Sequence, residues 1–281
     1  MKAVTLWQGD CLELMKNIPD GSVDLVLTDP PYGTTACKWD SVIPFEPMWE
    51  QLNRIIKPNG AICLFGSEPF SSALRMSNIK NFKYDWVWKK PRGTGHLNSK
   101  KQPLRDAENV SVFYKKQCTY NPQYSIGEPY SALKGGKMSK VSESGVTTYG
   151  KFMNGAEYRN DNNGFRYPKQ VLEFGVVERG TLHPTQKPVD LLEYLIRTYT
   201  NEGETVLDFT AGSMSTVIAC INTNRNCIAI EKDDHYFSVG CERVHNHILD
   251  NNIDLCYNQV CGGVCLWQSS KTEQVKDMVG F

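Results

Sequence analysis

Asp29, Pro30, Pro31 and Tyr32 follow directly on a short apolar run of β-forming residues, Val23 to Leu27. These four residues suit one kind of chemistry. The exocyclic amino group of a nucleobase is a poor nucleophile, because its lone pair is delocalised into the ring. A carboxylate at Asp29 and the carbonyl of Pro30 can each accept one N–H of such an amine. That favours a tetrahedral nitrogen whose lone pair faces an electrophile. Tyr32 offers a ring for the base to stack on, worth roughly 1–3 kcal/mol per base in single-strand binders. Two prolines stiffen the backbone that carries these groups. Holding amine and electrophile in line supplies much of the remaining catalysis.

The run before Asp29 is bounded by Asp20-Gly21 and by Pro30-Pro31. It reads as a buried strand of a parallel sheet, with Asp29 and Tyr32 at its carboxyl end, where open α/β sheets bind ligands. Ala61 to Gly66, Tyr84 to Trp88 and Asn109 to Tyr114 read as further strands, and Pro47 to Ile56 as a helix with Met48, Leu52, Ile55 and Ile56 on one face. Gly33 to Asp40 is small and polar, suited to a mobile lid. Near the N-terminus, Thr5 to Trp7 reads as a strand and Cys11 to Ile18 has helical spacing. Asp10 between them either caps that helix or accepts a hydrogen bond from a ligand.

A second half-site lies far along the chain. His183-Pro184-Thr185-Gln186-Lys187-Pro188 precedes an amphipathic helix through Val189, Leu192, Ile196 and Tyr199. Thr205 to Phe209 reads as a buried strand, followed by the turn Thr210-Ala211-Gly212-Ser213-Met214, a helix, and the strand Asn226 to Glu231. Strand, glycine-bearing turn, helix and a strand ending in an acid form the layout of a nucleoside-cofactor site, in which the acid takes ribose hydroxyls. The alternative is an ordinary βαβ unit.

The 281 residues carry no net charge and are 40% hydrophobic. No apolar run approaches a membrane span and no signal-peptide pattern opens the chain, so a cytoplasmic protein is expected. The ten cysteines stand singly, mostly in apolar segments; Cys256, Cys261 and Cys265 cluster without a CxxC pair, and no metal is expected. Between Lys80 and Lys116, ten Lys or Arg residues face three acids (Asp85, Asp106 and Glu108), a local charge of +7. Beside a strand-tip cleft this reads as a phosphate-contacting rim, with Lys89, Lys90, Arg92, Lys100, Lys101 and Arg105 as DNA-contact candidates. From Gln117 to Gly180 periodicity fades, and aromatics interleave with Lys and Arg, as expected of a nucleic-acid-binding insertion.

Taken together, Asp29-Pro30-Pro31-Tyr32, His183 to Pro188, Asp208 to Ser213 and Glu231 to Asp234 resemble the motif set of β-class, DPPY-type DNA adenine-N6 methyltransferases. The resemblance runs over roughly residues 4 to 245, in that family's order of catalytic region, recognition insertion and cofactor region. It implies a mostly parallel, seven-stranded, Rossmann-like α/β methyltransferase sheet with an inserted target-recognition region. The expected divisions are a catalytic half over 1–116, the insertion over 117–182, an S-adenosyl-L-methionine half over 183–250, and a tail of unassigned role over 251–281. It further implies methylation of adenine N6 on a base flipped out of double-stranded DNA, as in restriction–modification; a homodimer is the assembly expected. Asp29, Pro30, Pro31 and Tyr32 would be catalytic. Asp10, Thr185, Lys187, Asp208, Thr210, Gly212, Ser213 and Glu231 would bind the cofactor. An Asp at position 29 favours adenine, since the family's cytosine-N4 enzymes usually carry Ser there.

The chain departs from that pattern at Met214, where a second glycine is normal. A methionine with positive φ would be strained by about 1–3 kcal/mol, and its side chain would enter cofactor volume. Two alternatives therefore stay open: a catalytically impaired relative that only binds DNA, and a cytosine-N4 enzyme.

Overall fold

The computed structural model describes residues 3–34, 40–134, 158–177, 182, 186–253, 256–261 and 264–269. The chain runs β1 (Ala3–Gln8), α1 (Cys11–Leu14), β2 (Val23–Thr28), α2 (Phe45–Ile55), β3 (Ile56–Gly66), α3 (Phe70–Ser77), β4 (Phe82–Thr94) and β5 (Arg105–Phe113). It continues through β6 (Ser125–Ile126), β7 (Tyr130–Lys134), β8 (Tyr158–Asn162), β9 (Phe165–Arg166), β10 (Val171–Glu173), α4 (Val189–Tyr199) and β11 (Thr205–Asp208). α5 (Ser215–Asn222), β12 (Asn226–Glu231), α6 (Asp234–Asp250), β13 (Cys256–Cys261) and β14 (Val264–Ser269) follow.

Two compact units result, one of residues 1–121 with 169–281 and one of 122–168. The larger holds a sheet ordered β10-β4-β5-β3-β2-β11-β12-β1-β13-β14. It is mostly parallel, with antiparallel pairing confined to β3/β5, β4/β5 and β13/β14. The expected seven strands correspond to the run β4 to β1; β10 and the β13–β14 hairpin widen the described sheet to ten. Backbone pairing made the difference. β13 lies parallel on β1, and three residues within the aperiodic stretch, Val171–Glu173, lie parallel on β4.

Side-chain alternation gives the sheet its two covered faces. Leu25 and Leu27 of β2 pack in one buried cluster with Leu191, Leu195, Val217 and Val244 of α4, α5 and α6. Val26 packs in the other with Met48, Leu52 and Leu74 of α2 and α3. The smaller unit pairs β6 with β9 and β7 with β8, both antiparallel. In it Tyr124 contacts the rings of Phe165 and Tyr167 at 5.9 and 5.0 Å.

Candidate active site

β2 lies between β3 and β11, and its chain neighbours depart in opposite directions. Such a reversal opens a crevice beyond the carboxyl ends of the two central strands. Asp29 follows β2 there and Asp208 ends β11. Two hydrogen bonds tie the tips: Thr28 Oγ1 donates to Asp208 Oδ1 at 2.6 Å, and Thr210 Oγ1 donates to the Asp29 carbonyl at 3.1 Å.

The Asp29 carboxylate is held from both sides. The Tyr32 hydroxyl donates to Oδ1 and the Lys187 ammonium to Oδ2. The ammonium also lies 3.3 Å from Oε2 of Glu108, whose other oxygen takes Lys90. Acid and base thus alternate along a mostly buried line from Asp29 through Lys187 and Glu108 to Lys90. Burial raises the Asp29 pKa, with Glu108 adding to the rise and Lys187 opposing it. For Lys187 burial works downward, but the two acids outweigh it and hold the pKa above its usual value. Burial likewise pushes Glu108 up, and Lys187 and Lys90 more than reverse that. The Tyr32 ring is braced by Phe70, stacked at 5.0 Å.

At the other end of the cleft, Glu231 closes the glycine-bearing turn. Its Oε2 accepts the Gly212 N–H at 2.7 Å and its Oε1 the Asp233 N–H at 2.8 Å. Each oxygen keeps a lone pair for a further donor such as a sugar hydroxyl. Asp10 caps α1, the first of its two sequence-based readings, by accepting from Leu12 N at 2.9 Å; it also binds Lys232 at 3.0 Å and lines the cleft. Ser213 Oγ donates to Gln186 at 3.2 Å, and Arg243 of α6 holds the turn through the Ser213 carbonyl at 2.8 Å.

One cavity of about 570 Å³ is lined by Asp29, Pro30, Pro31 and Tyr32 together with Asp10, Lys187, Asp208, Thr210, Gly212, Ser213 and Glu231. Its size lies in the range of small-molecule sites. An acid with spare acceptors at one end, apolar walls from Phe65 and Phe209, and a second acid at the other end fit a nucleoside-bearing donor beside a base. Thr185 lies outside the described residues. Lys187, expected beside the cofactor, lines the cavity, and its ammonium reaches the Asp29 carboxylate from just before α4, whose N-cap is Pro188.

Burial raises the Asp208 pKa from 3.8 to about 6, against hydrogen bonds from Thr216, Thr28 and the Thr210 N–H. The folded state therefore holds this proton more tightly than the unfolded chain does. The resulting stabilisation is present below the unfolded pKa and lost as pH rises through the folded one. Between about pH 4 and 6 the wild type is expected to lose about 3 kcal/mol relative to Asp208→Asn, read from denaturant unfolding across that range. A pH-independent difference would contradict this burial argument.

Met214 has φ +63°, the left-handed conformation that the sequence makes a concern. Its side chain does not enter the cofactor space. It is fully buried in the α4–α5–α6 core and is absent from the cavity lining. Space for it comes from Gly240 of α6, where any Cβ would overlap the Met214 side chain. The sequence expectation is corrected on this point, since the missing second glycine of the turn is matched by a glycine across the helix interface.

The DNA-contact candidates lie on and between β4 and β5. Arg92, Lys100, Lys101 and Arg105 are exposed, and Lys89 is exposed while pairing with Glu173 at 2.9 Å. Lys90 differs: only 16% exposed, it pairs with Glu108 and lies 5.1 Å over the Trp88 ring, so its charge is spent within the fold. Glu108 itself was missed as a site residue. The available signal was an acid inside a basic run, at the entry to an apolar strand. No group of metal-binding side chains occurs among the described residues, and none of their helices is long and apolar enough to cross a membrane. The side chains of Cys256, Cys261 and Cys265 lie outside them.

A family model described as "DNA methylase" matches residues 23–242. DNA adenine methyltransferase YhdJ of Escherichia coli (strain K12) is 28% identical over 266 residues, covering 86% of this chain and 83% of that protein. Among solved structures, the PvuII DNA methyltransferase (cytosine-N4-specific) superposes with TM-score 0.60 at 20% identity, covering 90% of this chain and 89% of that one. The M1.HpyAVI–SAM complex superposes with TM-score 0.56 at 24% identity, covering 85% and 99%. At these identities the two structures establish a shared methyltransferase-like fold.

Proposed function

The chain belongs to the DNA methylase family, and from that premise we propose that it methylates N6 of an adenine flipped out of duplex DNA at a short sequence. S-adenosyl-L-methionine is the methyl donor. The observation that carries the reading is the single cavity shared by the Asp29–Tyr32 tip and the Glu231–Gly212 turn.

In this mechanism S-adenosyl-L-methionine supplies an electrophilic methyl on sulfur. Glu231 takes the ribose hydroxyls, while Asp10, Ser213 and Gly212 line the rest of the nucleoside and amino-acid path. Asp29 and the Pro30 carbonyl accept the two N–H bonds of the adenine amine and turn its lone pair toward the methyl. Tyr32, braced by Phe70, stacks on the base. Asp29, whose proton affinity is raised by burial and Glu108, is placed to take the proton that the amine sheds. The exposed basic residues of the β4–β5 ribbon contact phosphates. Target reading falls to the insertion, where Tyr124, Phe165 and Tyr167 are exposed aromatics.

Asp29 favours adenine over cytosine N4, which stays the second reading on the strength of the fold shared with a cytosine-N4 enzyme. The DNA-binding-only reading loses its motivation, because Met214 packs away from the cavity. The test is incubation with labelled S-adenosyl-L-methionine and unmodified DNA, followed by nucleoside analysis. N6-methyladenine is expected. N4-methylcytosine would transfer the conclusion to the second reading, and no labelled nucleoside would overturn both. In the same protein Glu231→Gln is expected to weaken cofactor binding roughly 10–100-fold by titration calorimetry, the worth of one or two charge-assisted hydrogen bonds. Unchanged affinity would remove Glu231 from the ribose.

A further inference from the structure

Asp29 Oδ1 already accepts from the Tyr32 hydroxyl and Oδ2 from the Lys187 ammonium, so an arriving amine shares these oxygens with protein donors. Departure of one donor would give the amine Oδ2 undivided, and the geometry says which donor and where it goes. Lys187 Nζ contacts Asp29 Oδ2, and 3.3 Å away on its other side stands Glu108 Oε2. That oxygen is buried and has no hydrogen bond of its own among the described residues. The ammonium 3.3 Å away pairs with it without hydrogen-bond geometry, so a small movement of Nζ would complete the bond. The Lys187 ammonium also lies over the Phe65 ring, 5.2 Å from its centroid.

Building on the proposed function, we propose that Lys187 has two seats and that Glu108 is the second. When the target amine arrives, the ammonium leaves Asp29 Oδ2, completes a hydrogen bond to Glu108 Oε2, and frees Oδ2 to accept the amine N–H. The displacement is short, since Nζ already lies within ion-pair distance of both acids. It leaves no charge unpaired: Glu108 neutralises Lys187 while Asp29 holds the base. Lys90 keeps the other Glu108 oxygen occupied and so aims Oε2 at Lys187. Glu108 is thus a positioning residue that acts on the reaction through Lys187. In the empty state the same lysine holds the Asp29 carboxylate in its productive rotamer.

The experiment uses the full chain and two readouts. Under single turnover on unmodified DNA, Glu108→Gln is expected to slow methyl transfer roughly 10–100-fold. S-adenosyl-L-methionine affinity is expected to stay at its wild-type value, and Glu108→Asp to recover part of the rate. The second readout needs no activity. Asp29→Asn and Glu108→Gln each leave Lys187 one carboxylate, whereas the double variant leaves it buried with none. The double variant is expected to lose more melting temperature than the two single losses together, and Lys187→Met is expected to restore it. Wild-type transfer rates in Glu108→Gln, or additive melting losses, would overturn the two-seat proposal. A wild-type protein that methylates nothing would instead overturn the functional reading, with the melting cycle still judging Lys187 and Glu108.

Discussion

Asp29→Ala is expected to abolish methyl transfer, lowering kcat by about 10³-fold or more, while S-adenosyl-L-methionine binds within about threefold of its wild-type affinity. The separation of effects follows from position. In the proposed mechanism Asp29, at the β2 tip, faces the amine, whereas the groups assigned to the cofactor, Glu231, Gly212 and Asp10, belong to β12, the β11–α5 turn and the β1 tip. Truncation also removes the partner of a buried ammonium, a change that commonly unfolds proteins. Here Lys187 retains Glu108 at 3.3 Å, so a folded variant is expected. Calorimetric titration and methyl incorporation on one preparation make the check. Loss of both together, in a folded protein, would place Asp29 in cofactor binding and not at the amine.

The second large effect concerns Met214 and reverses what the sequence implies. Read as an intruder on the cofactor, Met214 replaced by glycine would tighten binding. In the fold its side chain fills the space over Gly240, so Met214→Gly leaves a cavity in the α4–α5–α6 core. Large-to-small core changes of this kind cost roughly 2–5 kcal/mol, while relief of the left-handed backbone returns about 1 kcal/mol. The net loss is expected to lower Tm by roughly 2–8 °C without tightening S-adenosyl-L-methionine binding. Gly240→Ala is expected to be destabilising alone, because its Cβ meets the Met214 side chain, and milder on the Met214→Gly background. A tighter cofactor complex in Met214→Gly would restore the intruder view.

Much of the site was legible in the sequence because its chemistry is local. Asp29-Pro30-Pro31-Tyr32 needs only a buried strand before it, and Val23 to Leu27 announces one. The same holds for the Gly212 turn and Glu231, which one βαβ unit delivers to one edge. The order of these segments sufficed for the α/β class and for which strand tips line the cavity. The β13–β14 hairpin was not legible, since its pairing onto β1 is decided by backbone groups at a distant edge.

What only tertiary structure decided are the pairings across long separations and the directions of side chains. Lys187 and Asp29 are 158 residues apart. Nothing in either segment says that the lysine turns to the carboxylate and not to the cofactor, or that Glu108, read as one acid in a basic run, stands on its far side. Those contacts exist because β5 and β2 flank β3 and α4 starts beside their tips. Met214 is the same case at closer range. Sequence gives its misfit in the turn, but the backbone angle at 214 and the absence of a Cβ at Gly240 send its side chain into the core. Local spacing determines which groups reach the strand tips; burial and charge pairing between elements determine what each group touches once there.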